Sequence, residues 1–123
     1  MRVVKEIEVE GKKVNALFDT GSFNTYVLHN LIDGSTLIEV PQFRVALGGS
    51  VFEVDKACII RGKIDGLPFD TYAIPVKELG VVDGKEIHVI IGAMTMEKWE
   101  IKIDLKKGEL DLSGLRRRKF IEF

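Results

Sequence analysis

The sequence predicts an all-β domain, a sandwich or barrel of many short strands with one short helix. Three observations carry that prediction. Apolar and polar residues alternate with period two over most of the chain, Gly-containing turn signals separate the alternating stretches, and a helix-favouring composition surfaces at one place. With 123 residues, the chain is read as one domain spanning residues 1–123, long enough to bury a core.

The elements follow in order. "KEIEVEG" sets Ile7 and Val9 on one face against Glu6, Glu8 and Glu10 on the other, and "GKK" turns the chain into "VNALF". After the turn "DTGS", "NTYVLH" reads as a short strand, and residues 30–41 read as loop, marked by "DGS" and Pro41. "FRVAL", the turn "GGS" and "VFEVDKACII" form a second hairpin. "GKIDGLPFDTYAIPV" forms a third around "DG". "GVVDGKE" reads as a surface connection. "IHVII" is nearly all apolar and is expected to be buried on both faces. "AMTMEKW" after Gly92 is the one expected helix, and "EIKIDL", "KKGE" and "LDL" close with a hairpin. Each half also holds a Gly-turned hairpin and an apolar strand that ends at a glycine, a faint internal echo.

Composition removes several classes of function. Apolar residues make up 46% and charged residues 30%, as in a soluble globular protein, and the net charge of −1 points away from nucleic acid and anionic membranes as partners. The local "RRRK" at residues 116–119 reads as a solvated charge run. No apolar run nears the roughly 20 residues of a membrane span, and "MRVVKEIEVE" lacks the apolar stretch of a signal peptide. An intracellular, cytoplasmic and reducing setting is therefore expected. Cys58, the one cysteine, reads as a buried inert thiol. His29 and His88 carry no metal or triad spacing, so no metal and no cofactor is expected.

"ALFDTGSFNTYV" stands apart. An apolar strand delivers Asp19 into a turn whose Gly21 can adopt conformations closed to other residues, and backbone N–H groups of that turn can then face the carboxylate. An Asp is also a common turn former, and the tripeptide alone leaves both readings open.

The surroundings separate them. "LFDTGSFNT" resembles the active-site signature of the aspartic proteases, with Asp19, Thr20, Gly21, Ser22 and Thr25 each in place. "HVIIGAMTMEKWEIKIDLKKGEL", about seventy residues on, resembles the closing segment of the retropepsin-like single-domain members, and "VALGGSVFEV" falls where that family carries its flap hairpin. The resemblance runs over roughly residues 3–114.

It implies a retropepsin-like β-barrel or sandwich active as a two-fold dimer. The chain has one Asp-Thr-Gly, whereas the reaction needs two carboxylates facing one water, so a homodimer would supply the second. The implied function is an aspartic endopeptidase acting on a peptide or protein substrate. The implied catalytic residues are Asp19 as acid or base, Thr20 bonding across to the partner's turn, and Gly21 donating an N–H to the carboxylate. Ser22, Gly48 and Gly49 are the implied substrate-binding positions, with Ser22 and Thr25 also supporting the turn and the two glycines bending a mobile cover. Gly92 would let "VII" cross close beneath the Asp loop. Phe23 and Tyr26 could each line a substrate pocket, with core packing the expected use. In retroviral members the chain ends interleave at the dimer interface, and "KFIEF" alternates suitably for that. Two other readings stay open: a peptide-binding or scaffold module that keeps the fold without turnover, and a monomeric barrel whose DTG is only a turn.

Overall fold

The computed structural model describes residues 1–33, 36–120 and 122. Turns that force positive φ build its framework. At Glu10 and Gly11, with φ of 50° and 79°, the chain reverses and pairs β1 (Arg2–Val9) with β2 (Lys12–Asp19), from Val9 opposite Lys12 back to Arg2 opposite Asp19. Two-residue turns of this hand match the twist of the strands they join. β3 (Tyr26–Leu28) follows the turn after Asp19 and runs into a single 3-10 turn, His29–Leu31. Gly48 and Gly49 join β4 (Ile38–Leu47) to β5 (Ser50–Ile64), and Asp65 and Gly66 join β5 to β6 (Leu67–Val76), again with positive φ at both turn residues.

The rest is short. β7 (Val81–Val82) and β8 (Lys85–Glu86) form a miniature hairpin over Asp83 and Gly84, where the sequence suggested only a surface connection. β9 (Val89–Ile91) leads through Gly92 into α1 (Ala93–Lys98), the helix expected there. β10 (Lys102–Asp104) and β11 (Glu109–Asp111) make the closing hairpin.

Two expectations need correction. Among the described residues there are two α-helices, because α2 (Ser113–Arg117) follows β11. The Asp111 carboxylate accepts the Ser113 N–H at 3.0 Å and its hydroxyl at 2.7 Å, which starts the turn. Those bonds, the hydroxyl's first, hold the Asp111 carboxyl below its usual range. Fully buried Leu115 and the close approach of Gly114 to Glu100 then seat α2. The expected loop is also shorter than 30–41, since β4 begins at Ile38 and contains Pro41. Proline lacks a ladder donor, and β4 takes it as an edge strand with a register shift between Glu39 and Phe43. Gly34 and Ser35 of that segment, and Ile121 and Phe123 of "KFIEF", lie outside the described residues.

The main sheet has the order β1-β2-β9-β3-β6-β5-β4. It closes on itself because β1 also pairs with the end of β5, Glu8 opposite Lys63 and Val9 opposite Gly62. A side chain at Gly62 would run into the Glu8 carbonyl and the Phe69 ring, so glycine permits the closure. The echo seen in the sequence becomes a contact, since β2 and β9 pair in parallel from Ala16 opposite Val89 to Phe18 opposite Ile91.

Apolar residues on the two faces of this central region form two cores. Ala16, Phe18, Val27, Val89 and Ile91 join Met96, Trp99 and Leu115 in one; Leu17, Tyr26, Ile74, Ile87 and Ile90 form the other. β9 is thus buried on both faces, as its composition predicts. Among the described residues no helix is long and apolar enough to cross a membrane.

The "RRRK" run is exposed, yet two of its arginines have partners. Arg117 pairs with Glu100 at 3.2 Å, and Arg118 donates to the Pro68 carbonyl at 2.7 Å with its guanidinium over Trp99.

Candidate active site

Asp19 closes β2 between β1 and β9, directly after the fully buried Phe18. The core fixes that strand, so the half-buried carboxylate that follows inherits its position. The Gly21 N–H donates to Asp19 Oδ1 at 2.9 Å, and the Ser22 N–H donates to the Asp19 carbonyl at 3.2 Å. A Cβ at Gly21 would sit 3.2 Å from Oδ1, so a side chain there would crowd the carboxylate. The N–H donor implied at Gly21 is in place, and a charge-assisted bond of this kind fixes the carboxylate's orientation.

The remainder of the turn is held from beneath. The N–H groups of Ala93 and Met94, unpaired at the start of α1, donate to the carbonyls of Ser22 (2.6 Å) and Phe23 (3.2 Å). Buried Thr25 accepts the Gly92 N–H at 3.1 Å and shares a 2.6 Å hydrogen bond with the buried Thr95 hydroxyl, which in turn meets Thr71 at 2.7 Å. Any side chain at Gly92 would strike the Asn24 carbonyl. Thr25 and Gly92 therefore act as the supports the sequence suggested, while the Thr71–Thr95 extension was not foreseen.

A cleft of about 390 Å³ opens above Asp19. Leu17 and Ile90 line its base, and Leu47, Gly48 and Phe52 of the β4–β5 hairpin line one side. Leu79, Val81 and Val82, at and before the β7–β8 hairpin, line another. Arg2 and Glu78 add opposite charges to the wall. Arg2 stands across the strand pair from Asp19. The sequence brought neither Arg2 nor the β7–β8 residues to the site, although "VVDGKE" carries the Asp-Gly signal of a hairpin. Larger clefts lie elsewhere, among them one of about 610 Å³ by Trp99 and Arg61, one of about 620 Å³ by His29 and Val76, and one of about 450 Å³ by Glu97 and Arg117. Size does not select among them; the rigidly turned carboxylate does.

The candidate residues thus separate. Asp19 and Gly48 share the cleft. Gly49 shapes the hairpin tip with φ of 84° without lining the cleft, and Ser22 turns its hydroxyl onto the Asn24 carbonyl at 3.0 Å. Thr20 donates its N–H (3.1 Å) and its hydroxyl (3.3 Å) to the Met1 carbonyl of its own chain. Tyr26 is buried as expected, but Phe23 is 66% exposed, because its carbonyl and not its ring is what α1 engages.

Two other reactive side chains, His88 and Cys58, have structural partners. His88 Nδ1 accepts the Asn15 N–H at 2.9 Å, which sets the proton of the neutral ring on Nε2. Burial, then the nearby Glu10 charge, pushes the Cys58 thiol up to about 11, and its Sγ lies 3.4 Å from the Ala73 carbonyl. Among the described residues no three His, Cys, Asp or Glu side chains are grouped to hold a metal.

No family model and no curated protein matches the chain. Solved structures do. The simian foamy virus (mac) protease is 14% identical over 76% of this chain and 91% of its own, with a TM-score of 0.52. The retroviral protease-like domain of Ddi1 from Leishmania major is 18% identical over 92% and 89%, with a TM-score of 0.52. The EIAV protease, complexed with the inhibitor HBY-793, is 15% identical over 85% and 94%, with a TM-score of 0.53. At these identities the likeness is one of architecture: the chain has the retropepsin-like fold.

Proposed function

We propose that the protein is an aspartic endopeptidase, acting as a homodimer in which the Asp19 carboxylates of two copies face one water. The observation that carries this reading is a carboxylate fixed by its own turn, Gly21 N–H to Oδ1 at 2.9 Å, in a cleft it shares with the tip of a long hairpin. Two carboxylates about 3 Å apart share one proton. The ionised member takes a proton from water as the oxygen attacks the scissile carbonyl carbon. The protonated member donates to the carbonyl oxygen, giving a neutral tetrahedral intermediate. Proton transfer to the amide nitrogen then lets the C–N bond break. The apolar lining from Leu17, Leu47, Phe52, Leu79 and Ile90 suits a substrate side chain beside the scissile bond. The β4–β5 hairpin serves as the cover, with Gly48 closest to the substrate.

The test is cleavage of unfolded proteins and peptides from mildly acidic to neutral pH. Asp19→Asn is expected to lower the rate by roughly three orders of magnitude or more while leaving the fold unchanged. Equal cleavage by the wild type and Asp19→Asn would overturn the reading. Specific peptide capture without turnover by the wild type would replace it with the scaffold reading.

A further inference from the structure

We propose that Thr95 and Thr71 are positioning residues for the hydrolysis, completing a one-way chain of hydroxyls that ties the Asp19 turn to β6. The inference rests on the reading of Asp19 as half of a carboxylate pair. What carries it is the direction in which the hydrogen bonds must run. The Gly92 N–H donates to Thr25 Oγ1 at 3.1 Å, Thr25 and Thr95 share a 2.6 Å bond, and Thr95 and Thr71 share one of 2.7 Å. At the far end the Thr71 hydroxyl donates to the Tyr72 carbonyl at 3.0 Å. A hydroxyl has one proton to give. Thr71 gives its own to Tyr72, so it accepts from Thr95. Thr95 therefore accepts from Thr25, whose oxygen takes the Gly92 N–H. Each hydroxyl then donates once and accepts once, and none can rotate away without leaving its neighbours unpaired.

The chain bears on catalysis through what it joins. Among the described residues Thr25 and Thr95 are the buried polar side chains, 3% and 4% exposed, where an unpaired hydroxyl is costly. Thr25 follows the Asp19 turn directly. Thr95 belongs to α1, whose first N–H groups hold the Ser22 and Phe23 carbonyls, and Thr71 belongs to β6. The Thr25 carbonyl accepts the Ile74 N–H at 2.8 Å, a second tie to the same strand. Alanine or leucine would favour so short a helix more than threonine does, but neither would continue the chain. A carboxylate pair tolerates little displacement, since an error of about 1 Å caused by a distant change costs about 10²-fold in rate. None of the three threonines lines the cleft, so they act on Asp19 through its turn and not on the substrate.

The experiment compares steady-state peptide cleavage by the wild type, Thr95→Val and Thr95→Ser, and follows the Gly21 amide resonance of each by NMR. Valine keeps the shape of threonine and removes the hydroxyl. Thr95→Val is expected to lower kcat by about 10- to 100-fold with KM within about twofold, and to move the Gly21 resonance. Thr95→Ser keeps the hydroxyl and should stay close to the wild type in both readouts. Thr71→Val, at the half-buried end where water can take the place of the lost acceptor, should show the same changes to a smaller degree. It takes over the test should Thr95→Val fail to fold. A Gly21 resonance that stays in place in the valine variant overturns the proposal whatever the rate. Equal losses in the valine and serine variants overturn it too, as does a loss that falls on KM instead of kcat. A wild type that cleaves nothing overturns the protease reading, and the Gly21 resonance then decides by itself whether the hydroxyls fix the turn.

Discussion

At Gly92 there is no space for even a methyl group, since the Asn24 carbonyl and Phe23 backbone occupy the position a Cβ would take. Gly92→Ala is therefore expected to destabilise the protein by about 1–3 kcal/mol, the usual range for overpacking. It should also displace the Asp19 turn, so a lower denaturation midpoint and slower cleavage are expected together; an unchanged midpoint would refute the close packing. This is the scale at which the sequence was most informative. Asp19, Gly21, Thr25 and Gly92 serve one local motif, and each type is dictated by a backbone contact that a short string of residues encodes. Phe23 was misjudged for the opposite reason. Whether an aromatic is covered depends on what packs over it, and nothing in "GSFNT" states that. The Thr71–Thr95 hydrogen bond was equally hidden, because it links residues that only the folded sheet brings together.

Elements were legible where turn chemistry was strong. "EG", "GG" and "DG" each mark a reversal with positive φ in the structure, at residues 10–11, 48–49 and 65–66. The β7–β8 hairpin was passed over because two-residue strands are too short to show alternation, and β4 was shortened because Pro41 reads as a stop. The parallel pairing of β2 with β9 could not be read from either strand alone. Its entry is secured by His88, whose backbone N–H donates to the Asn15 carbonyl at 2.9 Å while its ring accepts the Asn15 N–H. His88→Phe keeps the bulk and removes the acceptor, leaving a partly buried donor without its partner. The expected loss is about 1–3 kcal/mol of stability, measured by chemical denaturation, and no loss would show that solvent replaces the ring.

On the scale of the whole molecule, β5 has two halves with different neighbours. Ser50 to Ala57 pair with β4, whereas Cys58 to Ile64 pair with β6 and, at Gly62 and Lys63, with β1 as well. The inner half carries fully buried Cys58, Ile60 and Ile64, whereas most of the outer half is open to solvent. Amide hydrogen exchange is expected to fall into two classes along this one strand, fast before residue 57 and slow after it. Uniform protection would mean that the hairpin is as rigid as the barrel. That closure joins residues more than fifty positions apart, which is why sequence periodicity alone left sandwich and barrel undecided. The fifteen-residue strand is in effect a beam cantilevered from a wall. Because that one strand runs unbroken from the hairpin tip to the pairing at Gly62, displacing the tip is expected to perturb the seam that shuts the cylinder.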